Sequence, residues 1–298
     1  MSTSTTVSQY LDEQRALVDQ ELDRLLPPED TFPPSIHQAM RYSVFAGGKR
    51  LRPILCAEAG RLLGADGPAL LRIASSLELV HTYSLIHDDL PALDNDDLRR
   101  GKPTCHRAFG EATAILTGDA LLTLVYEVLA EPGLSSAECQ LRIIHELARA
   151  TGTRQGMVAG QVMDLETTNQ AVDTRTLEYI HSSKTGAFLC AAVRCGAIFA
   201  GAEESDLERL TRYGRKIGLA FQVVDDLLDV VGSSATLGKT PGKDDDQRKA
   251  TYPSLYGIQE SRRMAALLIQ EACESLGPYG KAAGRLQELA HFLIERTA

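Results

Sequence analysis

The stretch Ile217-Gly-Leu-Ala-Phe-Gln222-Val-Val-Asp225-Asp226-Leu-Leu-Asp229-Val-Val231 decides the fold. It is almost wholly apolar, with one narrow exception. Gln222, Asp225, Asp226 and Asp229 recur at i, i+3, i+4 and i+7, so at about 100° per residue they form one polar stripe on a helix. An ordinary surface helix has the reverse pattern. A helix apolar around most of its circumference is buried, and carboxylates carried inside must be paired, hydrogen-bonded or bound to metal. The stripe predicts an all-α protein, a helical bundle built around a central, water-containing cavity.

Upstream, Leu85-Ile-His-Asp-Asp-Leu-Pro-Ala-Leu-Asp-Asn-Asp-Asp-Leu-Arg-Arg100 sets five carboxylates and two guanidiniums within sixteen residues, directly after a second apolar helical pattern. His81, Ser84 and Asp88 lie at i, i+3 and i+7 among Leu77, Leu79, Val80, Leu85 and Ile86. Carboxylates this close repel, and protonating several at once requires large upward pKa shifts. A hard divalent cation removes the repulsion more easily, and oxygen ligands with retained water suit Mg²⁺ held between protein and substrate phosphates. A solvated acidic helix end explains one such cluster equally well. Two acidic stripes on two buried helices, facing each other, predict a polyphosphate gripped through several magnesium ions.

Pro91 should break the first of these helices near Asp89, because it has no N–H for the carbonyl of His87 and clashes with it. On a straight helix Asp88 and Asp94 would point about 120° apart; the break lets the chain bring them together. Asp225 and Asp229, at i, i+4, need no break.

Around these clusters the punctuation is helical. Val7, Leu11, Val18, Leu22 and Leu25 trace an amphipathic helix stopped by Pro27-Pro28, and Pro33-Pro34 opens a second that ends at Gly47-Gly48. Pro53 fits a first turn, a long helix runs from about Pro68 to Leu90, and Ser135-x2-Glu138 and Ser205-x2-Glu208 have capping-box spacing. About eleven helices result. No linker or repeat divides the chain, so a single domain over residues 1–298 is the simpler expectation. Net charge of −9 argues against nucleic acid as a partner. Six scattered cysteines without Cys-x2-Cys spacing and an uncharged Ser/Thr-rich start point to reduced thiols in a cytoplasmic protein. No apolar run looks long enough to span a bilayer, so stable membrane insertion is not expected.

Further motifs follow the same order: Gly47-Gly48-Lys49-Arg50-Leu51-Arg52-Pro53, Arg99-Arg100-Gly101, Gly160-Gln161-x2-Asp164-Leu165, Lys184-Thr185-Gly186 and Gly238-Lys239-Thr240-x-Gly242-Lys243-Asp244-x4-Lys249. Lys49 and Arg52, a point charge and a planar fork three residues apart, suit a diphosphate, although a solvated basic turn has the same composition. With the two acidic motifs, these segments resemble the trans-prenyltransferases (polyprenyl synthases), the bacterial farnesyl diphosphate synthases in particular, from about Tyr42 to Pro253.

The resemblance implies roles. Asp88, Asp94, Asp225 and Asp229 become ligands of a magnesium cluster, expected from the resemblance to hold three ions and to accept Mn²⁺ in their place. Lys49, Arg52, His81 and Arg100 bind isopentenyl diphosphate, and Arg50 is left out. Arg99, Lys184 and Lys239 hold the allylic diphosphate, and Thr185 and Gln222 turn dipoles toward the allylic cation. Asp89, Asp96, Asp97, Asp226, Gln161, Asp164 and Lys249 support these groups rather than touch substrate. Tyr83, with Ser84 beside it, lies five residues before Asp88, where an aromatic ring accompanies a C15 product in resembling enzymes and smaller residues accompany C20. Farnesyl diphosphate made from dimethylallyl and geranyl diphosphates is the expected product, and a homodimer the expected assembly. Gly238 to Lys249 is the expected lid, because the chain ends Ile294-Glu295-Arg296-Thr297-Ala298, without the basic terminus of many relatives.

Three other readings compete. A terpene cyclase would keep the acidic motifs but have no use for Lys49, Arg52 and His81. An interaction subunit would not need paired acidic stripes. His87-Asp88 also spells the His-Asp pair of metal-dependent phosphohydrolases, which would need further histidines, with His106, His145 and His181 available.

Overall fold

The computed structural model describes residues 6–170, 172–231 and 251–295, and these are overwhelmingly helical. They divide into two compact units interleaved in sequence, one holding the described residues up to 54 and 66–140, the other 55–65 and the described residues from 141 onward.

In the first unit, α1 (Val7–Leu25) opens on a capping box, in which Thr6 accepts the Gln9 N–H and the Gln9 side chain accepts that of Thr6. α2 (Pro34–Val44) begins with proline in its first turn. α3 (Leu51–Leu62) starts here and continues into the second unit. The organising element is α4 (Pro68–Asp88), buried on nearly every side through Leu70, Ile73, Leu77, Leu79, Val80 and Ile86. Each such side chain contributes roughly 1.5–3 kcal/mol on leaving water. α4 ends at Asp88 with Asp89 as its cap, where Pro91 requires it to stop.

A two-residue hairpin follows, β1 (Leu98–Arg99) paired antiparallel with β2 (Lys102–Pro103). Its tip residues Arg100 and Gly101 both have positive φ, 54° and 76°, as a two-residue turn matched to strand twist requires. α5 (Cys105–Phe109) and α6 (Glu111–Leu129) complete the unit, with α6 packed on α2, α4 and α5.

One expectation needs correction here. α6 is long and apolar enough to cross a membrane by length and composition, and less than half of it is buried within this chain. Its exposed face carries Ile115, Leu116 and Tyr126.

α7 (Ala137–Thr151) crosses into the second unit. Its cap is Ser136, whose hydroxyl accepts the Cys139 N–H, rather than Ser135. Then come α8 (Met157–Glu166), α9 (Thr174–His181), a π-helical turn over Ser182–Gly186, α10 (Ala187–Phe199) and α11 (Glu204–Val231). α11 begins one residue before the serine expected to cap it. Beyond the undescribed stretch lie α12 (Tyr252–Tyr256), α13 (Ile258–Ser275) and α14 (Gly284–Glu295). α11 is the hub of this unit, packing on α10, α12, α13, α14 and the π turn. Val223, Val224, Leu227 and Leu228 pack with Tyr252, Leu177 and Ala265 in its core.

Candidate active site

In the first unit, His81, Ser84 and Asp88 form a half-buried line along α4, while their neighbours Thr82, Tyr83 and Ile86 are buried. Beyond the helix the chain turns back on itself, so the Asp94 N–H donates to the Asp88 carbonyl at 2.9 Å and the Asp96 N–H to that of Asp89 at 3.1 Å. Asn95 takes a left-handed φ of 50° to close the turn. Asp88 and Asp94 are thereby brought together at the backbone, both half-buried. Asp89 goes the other way. It is buried, and Arg99 Nε reaches both its oxygens at 2.7 and 2.8 Å, with Asp96 3.7 Å from the same guanidinium. Asp97 lies outside this network, pairing with Arg107 at 3.2 Å at the surface.

A cationic cluster gathers around the other end of this stripe. Arg52 is half-buried, and burial together with Arg100 brings its guanidinium down to about 10 against the opposing pull of Glu78. Arg100, from the hairpin tip, lies over Gly48 and donates to the Gly47 carbonyl. Gly48 has φ 136°, and a Cβ there would stand 2.7 to 3.0 Å from the guanidinium, so glycine is what lets the arginine lie down. Lys49 is exposed beside it. Desolvation first, then Arg52, Arg100, Arg99 and Arg50, hold His81 well below the ordinary histidine range, so it is a neutral hydrogen-bonding ring. Arg50 differs: it is only 2% exposed and is clasped by Asp19 and Glu78.

Tyr83 is buried, with its ring edge-on to His87 at 5.8 Å between centroids. His87 Nε2 lies 3.0 Å from the Ile115 carbonyl, and its ring rests on Gly118 of α6. Ser84 donates its hydroxyl to the His81 carbonyl at 2.8 Å.

In the second unit, Lys184 and Thr185 occupy the π turn, whose wider winding re-aims two side chains within an otherwise continuous helical path. Lys184 Nζ meets Asp164 of α8 at 2.8 Å, and Gly160, one turn before Asp164, abuts the Lys184 backbone. Gln161 is half-buried on the same helix. Gly218 of α11 contacts Gly186, which sets the turn against the face of α11 one turn before Gln222.

The α11 stripe divides. Gln222, Asp225 and Asp229, within about 60° of one another, are half-buried, whereas Asp226 is buried among other partners. It accepts the Tyr252 N–H at 2.9 Å and lies 3.2 Å from His181 Nε2. His181 stacks on Tyr252, Tyr252 on Tyr256, and Tyr256 donates to Thr174. Sequence reasoning missed this ladder, and it missed the partners of Arg50. The one available signal was the pairing of aromatic and histidine residues beside helix ends. Lys239, Lys249 and the expected lid lie outside the described residues.

The acidic residues fit magnesium in their chemistry: all are hard oxygen donors, and no group of three His, Cys, Asp or Glu side chains among the described residues forms a ready-made cage. Oxygen donors of this kind are what Mg²⁺ takes beside phosphate and water. The His-Asp hydrolase reading fares worse. His87 faces the Ile115 carbonyl, His106 pairs with Thr104 at 3.1 Å, and His181 lies beside Asp226, so each has a local partner of its own.

Comparisons with known proteins follow the same line. The family model for polyprenyl synthetase matches residues 33–278. The chain is 48% identical to a dimethylallyltranstransferase of Fischerella ambigua (strain UTEX 1903), covering 97% of this chain and 83% of that protein. It is 44% identical to a geranylgeranyl diphosphate synthase of Cyanophora paradoxa over 100% of this chain and 99% of that one. Among solved structures, an FPP/GFPP synthase from Zymomonas mobilis superposes with a TM-score of 0.86 at 38% identity, over 97% and 98% of the two chains.

Proposed function

Given that this chain belongs to the polyprenyl synthetase family and is a trans-prenyltransferase, we propose that its end product is (E,E)-farnesyl diphosphate. The substrates are isopentenyl diphosphate with dimethylallyl and then geranyl diphosphate. The observation that carries the C15 reading is Tyr83, a buried ring braced by His87 on the helix that presents Asp88, about 7.5 Å along its axis from that carboxylate. A growing prenyl tail that runs back along α4 meets this ring.

Lys49, Arg52, neutral His81 and Arg100 bind the isopentenyl diphosphate, the arginines as forks and His81 as a hydrogen-bond donor. Arg99 and Lys184, with Lys239, bind the allylic diphosphate. Asp88, Asp94, Asp225 and Asp229 are the magnesium ligands. Magnesium, when bound, neutralises charge developing on the departing pyrophosphate. The allylic C–O bond breaks, the isopentenyl double bond attacks the carbon left electron-poor, and a proton is lost to the released pyrophosphate. Thr185 and Gln222 offer oxygens to the electron-poor centre without reacting. Asp89 and Asp164 keep Arg99 and Lys184 in place. The exposed apolar face of α6 supports pairing with a second copy, since such a face is normally covered.

A C20 product is the second reading, favoured by the full-length match to a protein named geranylgeranyl diphosphate synthase. One incubation separates them: radiolabelled isopentenyl diphosphate, geranyl diphosphate and Mg²⁺, with products sized after dephosphorylation. C15 alcohol is expected, and chelation of the metal should abolish it. C20 as the main product would install the second reading, and no elongation at all would defeat both.

A further inference from the structure

Arg50 sits between Lys49 and Arg52 yet does the opposite of what they do. Its side chain is turned inward, with Nε 2.8 Å from Asp19, Nη1 2.9 Å from Glu78 and Nη2 2.7 Å from the Val44 carbonyl. One guanidinium thereby ties together α1, α4 and the end of α2. The backbone at Arg50 is left-handed, φ 52°, as it is at Gly47 and Gly48. Three of the four residues from Gly47 to Arg50 therefore occupy a region that only glycine enters without strain, and at Arg50 the surrounding bonds must hold the conformation. Glu78 is almost completely buried and stands one turn before His81 on α4. Its charge is felt by Arg52 and Arg100 as well as by Arg50.

We propose that Arg50, clasped by Asp19 and Glu78, is a positioning residue for the isopentenyl diphosphate site. It does not touch substrate. It fixes the left-handed turn from which Lys49 and Arg52 emerge on either side, and Glu78 supplies the buried negative charge that keeps Arg52 and Arg100 assembled near each other before an anionic ligand arrives. Assembling like charges in advance moves their cost from the binding step to the folding step, and the ligand then meets a ready site. The inference rests on the assignment of Lys49, Arg52, His81 and Arg100 made above.

Lysine cannot replace Arg50 in this role. It keeps the charge but is a single point donor on a flexible stem, and it cannot reach three acceptors in fixed directions. Arg50→Lys should therefore raise the KM for isopentenyl diphosphate about tenfold while leaving the KM for geranyl diphosphate within about twofold of wild type. Asp19→Asn acts at the more exposed end of the network and should move the same KM in the same direction by a smaller factor, with the melting temperature nearly unchanged. A loss of packing without a positioning role would lower the yield of folded enzyme or raise both KM values alike, without this split. If Arg50→Lys does not fold, Asp19→Asn carries the comparison. A folded variant with both KM values unchanged, or raised in equal proportion, overturns the inference alone. A wild-type protein that elongates nothing overturns the site assignment and the inference with it.

Discussion

Arg99 closes on Asp89 across the acidic turn, with its Nε 2.7 and 2.8 Å from the two carboxylate oxygens. Of the paired aspartates that end α4, Asp89 is thereby held inward, while Asp88 stays half-buried on the line with His81 and Ser84. Asp89→Ala removes the partner of a largely buried guanidinium, and with Arg99 partly open to solvent the expected loss is about 2 kcal/mol of stability. It should appear as a lower midpoint in denaturant unfolding, together with a higher KM for the allylic substrate than for isopentenyl diphosphate. An unchanged midpoint would mean that Arg99 finds another carboxylate, with Asp96 nearest at hand.

Gly48→Ala separates the fold from the site. The added methyl meets the far end of the Arg100 side chain, which can shift, while a φ of 136° in a residue with a Cβ costs about 1–3 kcal/mol. The guanidinium, however, must leave its seat. The expected outcome is a folded enzyme whose melting temperature falls by a few degrees, with a KM for isopentenyl diphosphate raised severalfold, read by steady-state kinetics.

His81 gives a pH signature. Its folded-state pKa is lowered by burial and by the nearby arginines, so below the ordinary histidine value of about 6.5 the unfolded chain takes up a proton that the folded chain refuses. Stability from this residue is full above that value and falls as pH drops, by about 1.4 kcal/mol per unit until the folded ring also titrates. His81→Gln should remove that slope between roughly pH 6.5 and 5. Parallel stability–pH curves for variant and wild type would show that His81 is not held neutral.

Tyr83→Ala opens the proposed floor of the tail pocket. Products should shift from C15 toward C20 when sized by chromatography after dephosphorylation, with some loss of stability from the cavity, about 3 kcal/mol if the site does not collapse. Unchanged C15 output would move the floor elsewhere.

The helices were readable because proline and glycine mark their ends by steric rules that hold whatever surrounds them. Pro91 stopped α4 at Asp88, and that stop is what lets the Asp94 N–H reach the Asp88 carbonyl. The stripe on α11 was readable to within one residue: Asp226 stands about 100° from Asp225, enough to turn it from the half-buried face toward Tyr252. Spacing to Glu138 points to Ser135 as a cap, one residue early, because adjacent serines carry the same hydroxyl and only that of Ser136 accepts a helix N–H. Sequence could not show the π turn either, because inserting one residue into a helix leaves composition untouched. Asp19 and Arg50 are 31 positions apart, and nothing local announces a bond between them.

The hairpin tip has a practical side. Arg100 occupies a left-handed position that glycine would fill more comfortably by about 1 kcal/mol, yet its guanidinium donates to the Gly47 carbonyl and is proposed to bind isopentenyl diphosphate. Engineering this protein for heat resistance and engineering it for turnover pull that residue in opposite directions. A screen that rewards only survival on warming would favour glycine there and return hardy, inactive clones.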